Sequence, residues 1–243
     1  MIVTFTDFGL AGPYVGQLRL ALAAGAPKLP VIDLMHDAPA ANPKAAAYLL
    51  AALGDRLPAG AVLLAVVDPG VGSDRRPVMV QTAQNWLVGP DNGLLAPLAG
   101  RLEAQGWFEI SWRPEALSAS FHGRDLFAPV AARLALGDPP QSLGEPWVGA
   151  PVGADWAEDL AEIVYIDRFG NAMTGLRAAH VHENQGIWLK NKEFFRARTF
   201  SDAAPGQGFW YENSNGLVEI AVNGGSAAAN FDLKLGVPVT FHG

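Results

Sequence analysis

The chain has 243 residues, enough for one large domain or two modest ones. Half of them are hydrophobic and 17% are charged, which excludes disorder for most of the length. The formal net charge of −7, with no run of Lys or Arg, argues against a nucleic-acid partner, and the lack of cysteine removes disulfides, thiolate nucleophiles and cysteine zinc sites.

Ile2 to Phe5 predicts a strand, and Tyr14 to Gly25 a helix, with Val15, Leu18, Leu22 and Ala26 at three- and four-residue spacings. Val31 to Met35 reads as a strand and Pro43 to Gly54 as an Ala-rich helix. The run from Ala61 to Val67 is apolar throughout, so this strand is expected to be covered on both faces, as in a parallel sheet. Val78 to Thr82 and Trp86 to Val88 follow as strands, then Leu94 to Gly106 and Leu126 to Leu136 as helices. The alternation predicts a layered α/β domain with a mostly parallel sheet over residues 1–150. The Pro- and Gly-rich stretch from Pro139 to Gly153 reads as a linker. Short strands at Ala161 to Ile166, Gly186 to Leu189, Gly208 to Glu212, Leu217 to Val222 and Pro238 to Phe241 predict a smaller all-β domain, a sandwich or barrel, over residues 151–243.

The first residues, Met1 to Asp7, lack the basic flank and apolar stretch of a secretory signal, and no apolar run approaches the ~20 residues that cross a bilayer. The expectation is a cytoplasmic protein with no membrane partner.

Polar clusters follow several predicted strands, where an open α/β sheet places its ligands. In Thr6-Asp7-Phe8-Gly9, Asp7 either caps the next turn or helix or accepts the hydroxyls of a ribose. In Asp68-Pro69-Gly70-Val71-Gly72 there is no third glycine for a dinucleotide loop and no Lys-Ser/Thr pair for a phosphate loop. Asp68 leaves an apolar strand for a poorly solvated spot and needs a partner; Arg75, seven residues on across the turn, is placed to fold back and provide it, either as a brace for the turn or as part of a site. His122, in Phe121-His122-Gly123-Arg124-Asp125, is the one histidine in a Gly-flanked, mixed-charge turn ahead of a helix, with His36 a secondary candidate. Such a histidine either packs or caps, or orients and deprotonates water. Turn chemistry alone explains Gly89-Pro90-Asp91-Asn92-Gly93. In the second half, Ile166-Asp167-Arg168-Phe169-Gly170-Asn171, Asn213-Ser214-Asn215-Gly216 and Asn223-Gly224-Gly225-Ser226 set amides and carboxylates near an aromatic ring. That combination suits a base or a sugar, and equally a set of turns.

Taken together and in this order, these motifs resemble the S-adenosyl-L-methionine hydrolases, the hydroxide adenosyltransferases related to the fluorinating and chlorinating enzymes. The resemblance runs from residue 2 to about residue 230 and implies an N-terminal α/β domain and a C-terminal β-barrel. It also implies a homotrimer that holds each substrate between neighbouring subunits. By motif position, Asp68, Arg75 and His122 prepare the water and Asp7 grips the ribose. Asn171 and the backbone from Val222 to Gly224 read the adenine edge, and Asp167, Ser214 and Glu219 hold the methionine part. Phe121, Phe169 and Phe200 form apolar walls. The sulfonium substrate is already an electrophile, so neither a metal nor a cofactor is expected. Halogenating relatives carry Tyr where this chain has Asp68 and Ser where it has Gly123, which points to water rather than halide; they carry Arg where it has Asn215, which implies a different grip on the methionine carboxylate. Three rivals stay open: a non-catalytic binder of S-adenosylmethionine or adenosine, a metal-dependent hydrolase using Asp7, Asp91, Asp125 and His122, and a halide-using relative.

Overall fold

The computed structural model describes residues 1–182 and 185–242. The chain forms two compact units, Met1–Trp156 and Ala157–Gly243.

In the first unit, β1 (Ile2–Thr6), α1 (Tyr14–Gly25), β2 (Val31–Met35), α2 (Pro43–Gly54) and β3 (Val62–Val66) alternate as the hydrophobic periods require. They are followed by β4 (Pro77–Gln81), β5 (Trp86–Pro90), α3 (Ala96–Arg101), β6 (Gly106–Ile110), α4 (Ala128–Leu136) and β7 (Gly144–Trp147). One sheet has the order β2-β1-β3-β5-β4-β6-β7; β2, β1, β3 and β5 are parallel, and the remaining pairings are antiparallel. Alternation along β3 splits the core. Val62, Leu64 and Val66 pack with Leu18 and Leu22 of α1 and Val130 of α4. Leu63, Ala65 and Val67 pack with Leu50 of α2 and Leu98 of α3. The sheet is thus covered on both faces, and each fully buried leucine contributes roughly 1.5–3 kcal/mol. From β1 the chain runs through α1 to β2 on one side, then through α2 to β3 on the other. The crevice beyond the carboxyl ends of β1 and β3 is therefore the switch point at which such sheets bind ligands.

Three expectations are corrected here. The helix expected from Leu94 to Gly106 ends at Arg101; Glu103 takes a left-handed φ of 55°, and the chain turns into β6. The expected linker contains β7, an edge strand on β6, where Pro146 forfeits no interior ladder bond. The helix expected from Leu126 opens as a single π-helical turn, Gly123–Phe127, before α4.

The second unit holds β8 (Leu160–Ile166), β9 (Ala172–Arg177), β10 (Gly186–Leu189), β11 (Lys192–Phe194), β12 (Gly208–Glu212), β13 (Leu217–Val222), a short α5 (Ala227–Phe231) and β14 (Thr240–His242). These make two antiparallel sheets, β12-β13-β9-β8 and β11-β10-β14. Isolated bridges Glu162–Pro238 and Arg196–Trp210 link the neighbourhoods of the two sheets, which share a core that includes Trp210, Phe194, Ile187 and Val218. Among the described residues, no helix is long and apolar enough to cross a membrane.

Candidate active site

Asp68 emerges from the carboxyl end of β3 and Arg75 from the turn before β4. Arg75 Nε lies 2.9 Å from each oxygen of Asp68, and its Nη2 also donates to Oδ2. The same Nη2 meets His122 Nδ1 at 3.0 Å. The Asp68 and Arg75 side chains are 5% and 10% exposed, so this is a largely desolvated ion pair, with the Arg75 guanidinium 5.1 Å over the Phe127 ring. Gly72 makes the approach possible. Its φ is +81°, and a Cβ there would lie 2.6 Å from the Ala119 carbonyl oxygen, so only glycine lets this turn lie against the segment that delivers His122.

A guanidinium has donors only, so Nδ1 of His122 accepts and the neutral ring carries its proton on Nε2. Burial, together with the neighbouring Arg75 charge, holds His122 below its ordinary value and favours that neutral ring. With that tautomer the other ring nitrogen of His122 is a donor, whereas the oxygens of the Asp68 carboxylate accept.

At the carboxyl end of β1, Asp7 caps no helix. Its Oδ2 accepts the Ala41 N–H at 2.9 Å, while α1 begins behind Pro13 with no side-chain cap. Phe121 packs edge-on against Phe8 at 5.5 Å and Tyr14 at 5.4 Å, a trio of rings of which the sequence reading named one. A Cβ on Gly123 would come within 3.0 Å of Phe8, so a serine at this position crowds that ring. Asp91 and Asp125 are engaged elsewhere. Asp91, buried and with its pKa raised by that burial, accepts the Val152 N–H at 2.9 Å. Asp125 binds Arg124 and the Ser118 N–H. Among the described residues, no three His, Asp or Glu groups gather to hold a metal ion.

In the second unit, all eight residues named from the sequence, Asp167, Phe169, Asn171, Phe200, Ser214, Glu219, Val222 and Gly224, line one open pocket of ≈ 730 Å³. Asp167 Oδ1 accepts the N–H groups of Phe169 and Asn171, each at 2.9 Å, which closes the loop that presents both residues. Gly170 has φ +83°, and a Cβ there would overlap Ser226 Oγ at 1.9 Å, so this loop packs against the start of α5 beside the Val222–Gly225 turn. Glu219 is 2% exposed; it accepts Tyr211 Oη–H at 2.6 Å and Asn213 Nδ2–H at 2.8 Å. Burial raises its pKa against the pull of those two donors, and burial with the adjoining Glu219 raises that of Tyr211. Phe200 stands edge-on to Tyr211 at 5.5 Å.

Met173, Tyr211, Asn213 and Gly225 also line this pocket; Asn213 and Gly225 stand in the motifs read from the sequence without a role of their own, whereas Met173 and Tyr211 escaped that reading. Antiparallel register, which no single segment spells out, sets Tyr211 and Met173 on either side of Glu219.

A three-layer α/β unit with an Asp–Arg–His bridge at its switch point is followed in sequence by a β unit with an aromatic- and amide-lined pocket. The models of the SAM hydroxide adenosyltransferase N-terminal and C-terminal domains match residues 2–144 and 161–240, and the chain belongs to that family. A protein from Thermus thermophilus named (R)-S-adenosyl-L-methionine hydrolase is 40% identical over 96% of each chain. One of the same name from Salinispora arenicola is 41% identical over 92% of this chain and 90% of its own. A fluorinase from Nocardia brasiliensis is more distant, at 23% identity over 98% of this chain and 95% of its own. The crystal structure of an uncharacterized conserved protein from Thermotoga maritima matches with a TM-score of 0.89 at 31% identity, covering 99% of both chains.

Proposed function

We propose that the chain hydrolyses (R)-S-adenosyl-L-methionine to adenosine and L-methionine. Water attacks C5′ in line, the new O–C5′ bond forms as the C5′–S bond breaks, and the sulfonium leaves with its electron pair as the neutral thioether of methionine. The observation that carries this reading is the Arg75 bridge, because a binder would have no need to bury a guanidinium between Asp68 and His122. In this scheme Asp68 accepts the water's proton, His122 Nε2–H aims the oxygen, and Arg75 keeps the Asp68 carboxylate turned. A positioned acid–base group is worth about 10²–10⁴-fold, and alignment for attack adds to it.

Asp7 binds the ribose hydroxyls. Asn171 and the backbone from Val222 to Gly224 take the adenine edge, Asp167, Ser214 and Glu219 the methionine part, and Phe121, Phe169 and Phe200 the apolar faces. The cationic electrophile needs no metal or cofactor. A cytoplasmic homotrimer, with each substrate between neighbouring subunits, completes the reading; the family resemblance supports it, and light scattering of the purified protein tests it. Incubation with S-adenosylmethionine, with and without chloride, tests the reaction. Adenosine and methionine in both cases support it, and 5′-chloro-5′-deoxyadenosine or no turnover contradicts it.

A further inference from the structure

His36 is 3% exposed and has no part in the chemistry above. It follows β2 and lies against the carboxyl end of β1. Its Nδ1 is 2.7 Å from Thr6 Oγ1, and that oxygen accepts the Phe8 N–H at 3.2 Å. Its carbonyl accepts the Gly9 N–H at 2.6 Å. On the far side of the ring, Nε2 lies 3.2 Å from Asp33 Oδ1, and Asp33 is paired with Arg19, Nε to Oδ1 at 3.1 Å. Thr4 Oγ1, 3.4 Å from Nε2, donates to Asp33 Oδ1 at 3.1 Å, and with a neutral ring one proton arrangement then satisfies the remaining groups. The Thr6 hydroxyl accepts from Phe8 and donates to Nδ1, the ring carries its proton on Nε2 and donates to Asp33, and Arg19 holds the other side of that carboxylate.

The three residues Thr6, Phe8 and Gly9 flank Asp7, and each is tied to His36, directly or through Thr6. We infer that His36 is a positioning residue for Asp7: its Nδ1, working through Thr6, fixes the loop from which the Asp7 carboxylate projects, and so sets the affinity for a nucleoside. A histidine that only filled the core would matter equally through both nitrogens, and through fold stability. Here the two nitrogens have different tasks. Nδ1 serves the Asp7 loop, whereas Nε2 serves the Asp33–Arg19 pair on the sheet's outer strand.

The inference rests on the proposed role of Asp7, so Asp7→Ala is the reference. His36→Asn keeps an amide where Nδ1 stood, and His36→Gln keeps one where Nε2 stood. Titration with adenosine is expected to show His36→Gln weakened about tenfold, ~1.4 kcal/mol, with His36→Asn close to the parent and the loss in turnover assays falling on KM rather than kcat. Thr6→Val, which cuts the same link with the imidazole intact, should reproduce the weakening and covers the case in which a His36 variant fails to fold. Equal effects of Asn and Gln, or affinities that follow melting temperature alone, overturn the inference. An Asp7→Ala protein with undiminished adenosine affinity would instead overturn the ribose assignment itself.

Discussion

The strand-end cluster of the first unit and the pocket of the second are built on opposite plans. In the first, side chains meet side chains: Arg75 is consumed by Asp68 and His122, and little of the set reaches solvent. In the second, Asp167 and the side-chain oxygen of Asn213 close their own turns and a buried Glu219 is held by Tyr211 and Asn213 Nδ2, which leaves Phe169 and Phe200 as walls of an open cavity. The first arrangement fixes the direction of a few polar atoms, and the second holds a shape. Removing a side chain from the first should therefore cost rate, and removing one from the second should cost affinity.

The largest expected effect is that of Asp68→Ala. Turnover should fall about 10²–10⁴-fold with adenosine affinity broadly kept. Stability should drop by ~3–5 kcal/mol in urea unfolding, because Arg75 is left buried without its counter-charge. Near-parental turnover would break the division between the two sites. Trp210→Ala empties the centre of the second unit, where that side chain is fully buried. A loss of ~3–5 kcal/mol is expected in the same assay, and a negligible loss would show that this core repacks freely. Phe169, 69% exposed, should behave differently again. Phe169→Ala should leave stability within ~0.5 kcal/mol while weakening adenosine binding by the ~0.5–1.5 kcal/mol typical of a ring contact.

The smallest and most specific effect is on pH. With its value in the fold held below the ordinary ~6.5, His122 takes up a proton more readily in the unfolded chain. Its contribution to stability is therefore whole above pH ~6.5 and declines as the pH falls from there toward the lower folded value. The kcat/KM profile should stay level through neutrality and fall on an acid limb with its midpoint below ~6.5. A midpoint above that value, or an unchanged limb in His122→Gln, contradicts the neutral-ring assignment.

Much of this was legible in the sequence, unevenly and for physical reasons. The run from Ala61 to Val67 announced a strand covered on both faces, because only a two-sided core tolerates unbroken apolar residues. Asp68 and Arg75 could be paired from the Gly-rich turn between them, but the link to His122 spans 47 residues and depends on the close approach at Gly72. β7 was hidden by its Pro and Gly, which an edge strand accepts and an interior one does not. Tyr211 and Met173 were missed because strand register, unlike a motif, is not written in any one segment. The Asp7 loop showed its carboxylate but not what holds it, since Thr6 at the end of β1 and His36 just after β2 lie 30 residues apart.

The central claim is that water displaces methionine at C5′ and not at another carbon of the sulfonium. Turnover of S-adenosylmethionine in water enriched with oxygen-18, with mass analysis of the products, addresses it directly. The label should appear in the 5′-hydroxyl of adenosine and be absent from methionine. Label in methanol or homoserine, or adenosine released without it, would contradict the account.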